Sequence, residues 1–166
     1  NEKKRYYPQD EFLSNVIGFL GAEKEGQYGL EEFYDEDLKV KTSGIEDENG
    51  TDLVLTIDYN IQFKAETLLK KAEQNLNIKN GQIIVINPKS GEIKTMASLL
   101  GFNPNNYTDY SLSVFKNPST QDLFEPGSVF KPITMAAGIE EGKITPETTY
   151  QDPGYLEIND YPIYNY

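Results

Sequence analysis

Apolar positions change their spacing along the chain, and each spacing predicts a different kind of element. In the first fifty residues, short apolar stretches alternate with polar residues, and glycine recurs at Gly18, Gly21, Gly26, Gly29, Gly44 and Gly50. This punctuation predicts short elements joined by turns, which we interpret as a separate or accessory unit. A dense, partly β-branched run then predicts a buried strand; it consists of Leu53, Val54, Leu55 and Ile57.

A helical period begins after Asp58. Apolar residues recur there every three or four positions, with lysine and glutamate between them; they are Ile61, Ala65, Leu68, Leu69, Ala72 and Leu76. Asp58 is a suitable N-cap, because its carboxylate can accept hydrogen bonds from the first free backbone N–H groups of a helix. The sequence therefore predicts an amphipathic helix that starts after Asp58 and buries this apolar face.

The second half of the chain is predicted to contain a hairpin, a loop and a second helix. Residues 82–87 and 92–98 are rich in Ile and Val and flank the turn sequence 88–91, which predicts a β-hairpin. Residues 102–118 carry loop signals, and a turn is expected at 152–154. The second helix is predicted from Ser128 to about Glu141, ending at Gly142. Its inward-facing residues are predicted to be Phe130, Ile133, Thr134, Ala137 and Ile139.

Composition supports a folded chain. Of the 166 residues, 37% are hydrophobic and 12% aromatic, which is more apolar surface than disordered chains carry. No run of 18 or more apolar residues occurs, so neither a membrane span nor a signal peptide is predicted within this stretch.

Charge and missing residue types exclude several classes of chemistry. The formal net charge is −12, which disfavours binding to nucleic acid, and the acidic cluster Glu31–Asp37 is interpreted as solvated surface. The chain has no cysteine and no histidine, so zinc sites, thiol nucleophiles and Ser-His-Asp triads are excluded. No cofactor or metal is expected, and any nucleophilic serine needs a base other than histidine.

A serine and a lysine three positions apart on a helix offer such a base. They lie about one turn apart, close enough for a neutral amine to take the hydroxyl proton. The tetrapeptide Ser-Val-Phe-Lys occurs at 113–116 and at 128–131. A proline at 118 disfavours a helix through the first copy, which we interpret as a loop or strand end. Pro126-Gly127 and Pro132 favour a helix start at the second copy, although an N-capping serine with a solvated lysine fits the same pattern.

The residues around Ser128 resemble a known family. Glu125-Pro126-Gly127-Ser128-Val129-Phe130-Lys131-Pro132-Ile133-Thr134 is similar to the active-site box of class B penicillin-binding proteins, and Ser-x-x-Lys is the established signature of that box. Further similar segments are Arg5-Tyr6-Tyr7-Pro8, Gly18-Phe19-Leu20-Gly21, Gly29-Leu30-Glu31, Leu55-Thr56-Ile57-Asp58, Pro88-Lys89-Ser90-Gly91-Glu92-Ile93 and Phe102-Asn103-Pro104-Asn105.

The resemblance implies a mixed α/β transpeptidase fold of the penicillin-binding and β-lactamase type, with a sheet between helices. Residues 1–51 would end a pedestal region, and residues 52–166 would begin the transpeptidase domain. The family's Ser-x-Asn and Lys-Thr-Gly boxes do not occur in this chain, so the implied domain is incomplete here. Lys41-Thr42-Ser43-Gly44 is not the required triplet, and we interpret it as a loop.

The implied activity is peptidoglycan cross-linking through an acyl-serine, with Ser128 as nucleophile and Lys131 as base. Expected partners are stem peptides, β-lactam antibiotics and division or elongation proteins, at the extracytoplasmic face of the bacterial membrane. Two alternatives remain open from the residues: a non-enzymatic β-lactam-sensing or scaffold module, and a serine β-lactamase.

Overall fold

A computed structural model of the chain describes residues 5–39 and 50–165, which form two compact units, Asn1–Asp122 and Leu123–Tyr166. In the first unit, short elements precede a long helix and a hairpin. In chain order they are α1 (Ser14–Ile17), β1 (Phe19–Leu20), β2 (Gly26–Gln27), α2 (Gly29–Phe33), α3 (Asp35–Leu38), α4 (Tyr59–Leu76), β3 (Gln82–Ile86), β4 (Ile93–Ser98) and α5 (Pro118–Gln121). The short elements predicted for the first fifty residues are confirmed where the structure describes them. The loop predicted at Lys41-Thr42-Ser43-Gly44 lies outside the described residues.

Helix α4 begins where its cap was predicted. The Asp58 side chain accepts hydrogen bonds from the N–H groups of Asn60 and Ile61, which would otherwise have no intrahelical partner. The buried face is centred on Gln62, Ala65 and Leu69. The prediction is wrong for part of the apolar face. The three buried residues face β4, and this orientation leaves Ile61, Leu68 and Leu76 exposed.

The predicted hairpin is confirmed as the antiparallel pair β3–β4, with Ile84 opposite Met96. Gly91 closes its turn at φ +77°, a backbone conformation that residues with a Cβ rarely adopt. The loop predicted for 102–118 contains two 3₁₀ turns, Pro104–Asp109 and Leu112–Val114, and α5 follows it.

A buried amide joins α4 to β4. The Gln62 side chain is completely buried, and its Oε1 accepts hydrogen bonds from the Met96 N–H at 2.9 Å and from the buried Thr95 hydroxyl. Its Nε2 donates to Glu66 Oε1 at 2.8 Å, and the same carboxylate oxygen accepts the Leu13 N–H at 3.0 Å. One network therefore connects the N-terminal segment, the helix and the strand.

An aromatic cluster joins the N-terminal segment to residues 102–115. Phe19 packs against Tyr107 and Phe115, with ring centroids 4.4 and 4.8 Å apart, and Phe102 is completely buried beside Phe115. Asn15 adds polar contacts, because its Nδ2 donates to the carbonyls of Val114 and Lys116. Residues on both sides of the predicted 51/52 boundary thus share one core, and the boundary stays a prediction.

One member of the acidic cluster was wrongly predicted to be solvated. Glu31 is 3% exposed, and its Oε1 lies 2.7 Å from the Arg5 guanidinium and accepts the Tyr7 hydroxyl at 3.1 Å. The Arg5 charge offsets the cost of burying the carboxylate, and composition alone does not reveal this long-range pairing. Glu32, Glu36 and Asp37 are exposed as predicted.

The predicted strand at 53–57 is also wrong, because these residues form no strand ladder and Val54 is almost fully exposed. Two hydrogen bonds connect this segment to β4, from the Thr56 hydroxyl to the Ile93 carbonyl and from the Asp58 N–H to the Lys94 carbonyl. Burial of an apolar run requires a second packed layer, which the described residues do not place over this segment.

The second unit contains a 3₁₀ turn (Gly127–Phe130), α6 (Lys131–Glu140) and the hairpin β5 (Tyr155–Ile158) with β6 (Tyr161–Tyr164). The prediction that the apolar residues of this helix face inward is wrong, since Phe130, Ile133 and Ile139 are all exposed. Burial of this helix face requires a packed layer over it, and the described residues place none there. No helix within residues 5–39 and 50–165 is both long and apolar enough to span a membrane.

The helix end at Gly142 and the turn at 152–154 are confirmed. Gly142 has φ +62° and its N–H donates to the Ile139 carbonyl, while Asp152 Oδ1 accepts the Gly154 N–H at 2.8 Å. The β5–β6 hairpin was not predicted. Its two-residue turn, Asn159-Asp160, has positive φ at both positions, and this residue pair is a signal from which the hairpin could have been predicted.

The Gln62 network predicts a measurable coupling. Gln62→Leu leaves the buried Thr95 hydroxyl without its acceptor, so we expect the free energy of unfolding to fall by about 3 kcal/mol in denaturant titrations. Gln62→Leu with Thr95→Val replaces both partners with apolar groups and should recover part of that loss. Gln74→Leu, at an exposed position of the same helix, is the matched control. A double variant no more stable than Gln62→Leu would contradict the coupling.

The Arg5–Tyr7–Glu31 cluster predicts a pH dependence. Burial first, and the Glu31 carboxylate second, raise the pKa of the Tyr7 phenol above its ordinary 10.0. Because the pKa of Tyr7 is higher in the folded state than in the unfolded state, its contribution to stability is fully present below pH 10.0. The contribution is lost as the pH rises from 10.0 through the pKa of the folded state.

We therefore expect Tyr7→Phe to lower the free energy of unfolding at neutral pH by about 1–2 kcal/mol, through loss of two hydrogen bonds. Denaturant titrations at increasing pH should show the difference from wild type shrinking above pH 10.0. A difference that stays constant would show that Tyr7 does not carry the alkaline dependence.

Candidate active site

The backbone makes a sharp turn into Ser128. Pro126 is in the right-handed helical region (φ −70°, ψ −22°), Gly127 is left-handed at φ +56°, and the 3₁₀ turn Gly127–Phe130 follows. The Lys131 N–H donates to the Ser128 carbonyl and closes this turn. The predicted turn at Pro126-Gly127 is confirmed, whereas the predicted helix differs at its start: Ser128 lies in the 3₁₀ turn and the α-helix begins at Lys131.

This turn places Ser128 and Lys131 on one side of the chain. In a 3₁₀ helix, residues three apart are nearly eclipsed, so position 131 lies one turn directly beyond position 128. Pro132 follows in the first turn of α6, where its missing N–H breaks no helical hydrogen bond. The backbone therefore places the two residues one turn apart, with Lys131 directly after the 3₁₀ turn.

The side chains of Ser128 and Lys131 are both exposed, and neither has a polar partner in the part of the chain that the structure describes. Among residues 5–39 and 50–165, no hydrogen bond reaches the Ser128 hydroxyl, and no carboxylate forms an ion pair with Lys131. Within these ranges the Lys131 amine is therefore not engaged by any acidic side chain. The same ranges hold no cluster of three or more acidic side chains that could bind a metal ion.

The first copy of the tetrapeptide has a different environment. Ser113 lies in the 3₁₀ turn Leu112–Val114, and its Oγ is 2.9 Å from the Ser111 hydroxyl. Lys116 forms an ion pair with Asp122, and its carbonyl is bound by Asn15. The amine of the first copy is therefore paired with a carboxylate, whereas the amine of the second copy has no such partner among the described residues.

Comparison with known proteins places the chain in a family. The Penicillin binding protein transpeptidase domain model matches residues 81–166, which is just over half of the chain and includes Ser128 and Lys131. The chain belongs to the class B penicillin-binding proteins.

Two curated relatives of this class B penicillin-binding protein match nearly its whole length. The peptidoglycan D,D-transpeptidase FtsI homolog of Chlorokybus atmophyticus is 34% identical over 98% of the chain, and stage V sporulation protein D of Bacillus subtilis is 35% identical over 93%. The chain spans 27% of the length of each relative.

Solved structures of the family agree with the fold. Penicillin binding protein 3 of Mycobacterium tuberculosis, crystallised with aztreonam, superposes with a TM-score of 0.83 at 29% identity. The match covers 98% of this chain and 37% of that one. The predicted mixed α/β transpeptidase fold is thereby confirmed.

Proposed function

We propose that the full-length protein is a serine D,D-transpeptidase that cross-links peptidoglycan, with Ser128 as nucleophile and Lys131 as general base. The observation that carries the proposal is the 3₁₀ turn that places these two residues one turn apart, within the range matched by the transpeptidase family. The names of the relatives, which include peptidoglycan D,D-transpeptidases, support the reaction class.

Acylation begins at the Ser128 hydroxyl. The neutral Lys131 amine takes its proton while Oγ attacks the carbonyl carbon of the penultimate D-alanine of a stem pentapeptide. The amide C–N bond then breaks, the leaving amine of the terminal D-alanine takes the proton that Lys131 removed from Ser128, and an ester remains on Ser128.

Deacylation reverses the roles of the same two groups. An amine from a neighbouring stem peptide attacks the ester carbonyl and loses a proton to Lys131. A new amide bond forms, the ester C–O bond breaks, and Lys131 returns that proton to the leaving Ser128 oxygen. A β-lactam follows the first half of this sequence, because opening of its ring amide also gives an ester on Ser128. In that case the leaving nitrogen stays attached to the acyl group.

Backbone geometry supports charge stabilisation at the attacked carbonyl. The Ser128 N–H lies in the first turn of the 3₁₀ helix, where N–H groups have no intrahelical partner. Such an N–H can donate to the oxyanion that develops during attack. Residues from the family's Ser-x-Asn and Lys-Thr-Gly boxes would complete proton transfer and bind the substrate carboxylate.

We extend the proposal to the organisation and location of the protein. Residues 1–51 are assigned to the end of a pedestal region and 52–166 to the start of the transpeptidase domain, which is consistent with the family match at 81–166. Stem peptides and β-lactams are the proposed ligands, and division or elongation proteins the proposed partners. Action on peptidoglycan implies the extracytoplasmic face of the bacterial membrane, with a membrane anchor in the full-length protein.

The nucleophile and base are tested by intact mass spectrometry of the full-length protein after incubation with penicillin. We expect one long-lived penicilloyl adduct that Ser128→Ala abolishes, because no other group supplies the attacking oxygen. Lys131→Ala and Lys131→Arg should slow its formation by about a hundredfold or more, since neither side chain can act as a neutral base.

Ser113→Ala and Lys116→Ala are the matched controls in the first tetrapeptide and should leave the rate unchanged. An adduct that survives Ser128→Ala would disprove the assignment. Rapid loss of the adduct with release of hydrolysed penicillin would indicate a β-lactamase. A stable adduct without turnover of a peptide donor would indicate a sensor or scaffold.

The 166-residue chain alone is expected not to react with penicillin. It lacks the Ser-x-Asn and Lys-Thr-Gly side chains that the proposed mechanism needs for proton transfer and substrate binding. Labelling with a fluorescent penicillin, with the full-length protein as positive control, measures this directly. Labelling of the short chain at Ser128 would show that Ser128 and Lys131 suffice.

A further inference from the structure

We propose that Gly127 is a positioning residue for acylation, because its left-handed backbone sets the direction in which Ser128 presents its hydroxyl. The inference rests on the proposed role of Ser128 and deepens it. Gly127 has φ +56°, follows the right-handed Pro126 and is the first residue of the 3₁₀ turn that contains Ser128.

Packing does not explain a glycine at this position. A Cβ built on Gly127 would meet no described atom within 4 Å, apart from its chain neighbours. Space is therefore available for a side chain. The remaining requirement is conformational, since only residues without a Cβ adopt this φ freely, and asparagine tolerates it better than other residues do.

The backbone is also the main restraint on Ser128. Its side chain is exposed, and within the described residues no hydrogen bond holds its hydroxyl. A change in φ at residue 127 would rotate the following peptide and redirect the Cα–Cβ bond of Ser128. Lys131 lies one 3₁₀ turn further on, so the path of the proton from Oγ to the amine depends on this direction.

The chain offers a matched control at the other end of the same helix. Gly142 has nearly the same conformation, at φ +62°, and a Cβ there would also meet no described atom within 4 Å. Substitution by alanine should therefore strain the backbone equally at the two glycines. Gly127 directly precedes Ser128, whereas Gly142 follows the helix.

The test is the acylation of the full-length protein by fluorescent penicillin, with the non-covalent dissociation constant and the acylation rate constant measured separately. We expect Gly127→Ala to slow acylation about tenfold with little change in the dissociation constant. Gly142→Ala should lower the thermal unfolding midpoint similarly and leave the acylation rate within about twofold of wild type. Gly127→Asn should be faster than Gly127→Ala, despite its larger side chain.

Equal acylation rates for Gly127→Ala and Gly142→Ala would overturn the inference, as would a Gly127→Asn variant no faster than Gly127→Ala. Rates are compared at a temperature at which every variant is folded, so loss of folded protein is not mistaken for slower chemistry. Failure of the proposed function is distinguishable, because wild type itself would then form no adduct at Ser128.

Discussion

The buried amide of Gln62 is the interaction on which the described first unit most depends. A completely buried amide must satisfy its donors and acceptor within the protein, and Gln62 does so with Thr95, Met96 and Glu66. Because Glu66 also binds the Leu13 N–H, helix, strand and N-terminal segment are oriented by one connected set of bonds. Few of these groups could move independently without leaving a buried polar atom unpaired.

Further polar contacts of the N-terminal segment reach residues 102–116. Leu13 is followed by Ser14, whose hydroxyl accepts the Phe102 N–H, and by Asn15, which binds the carbonyls of Val114 and Lys116. The segment that leads to the Ser128 box is thus held by residues near the N-terminus. Beyond Asp122 the second unit begins, and there the backbone geometry of the proposed nucleophile and base is local, set by Gly127 and the 3₁₀ turn.

Elements with local signals could be predicted from the sequence. The Asp58 cap, the Gly91 turn and the Gly142 helix end each depend on residues close in the chain, and all three were located. Burial was predicted less well, because it depends on distant partners: Glu31 is buried only through its pairing with Arg5. The buried face of α4 differs from the predicted apolar face because it includes polar Gln62, whose burial requires a hydrogen bond from Thr95 on another element.

The candidate site follows the same division. The residue pair and its turn were predicted from Pro126, Gly127 and the Ser-x-x-Lys spacing, which are all local. The 3₁₀ geometry was not predicted, since the same residues are compatible with an α-helix from Ser128 onward. The environment of the first tetrapeptide also needed the fold, because its lysine is distinguished by an ion pair with Asp122.

A crystal structure of the full-length protein after reaction with penicillin would test the central claim most directly. The account predicts continuous density between the opened lactam carbonyl and Ser128 Oγ, with Lys131 Nζ within hydrogen-bond distance of that oxygen and Gly127 still left-handed. Density on another residue, or Lys131 bound to a carboxylate away from Ser128, would contradict it.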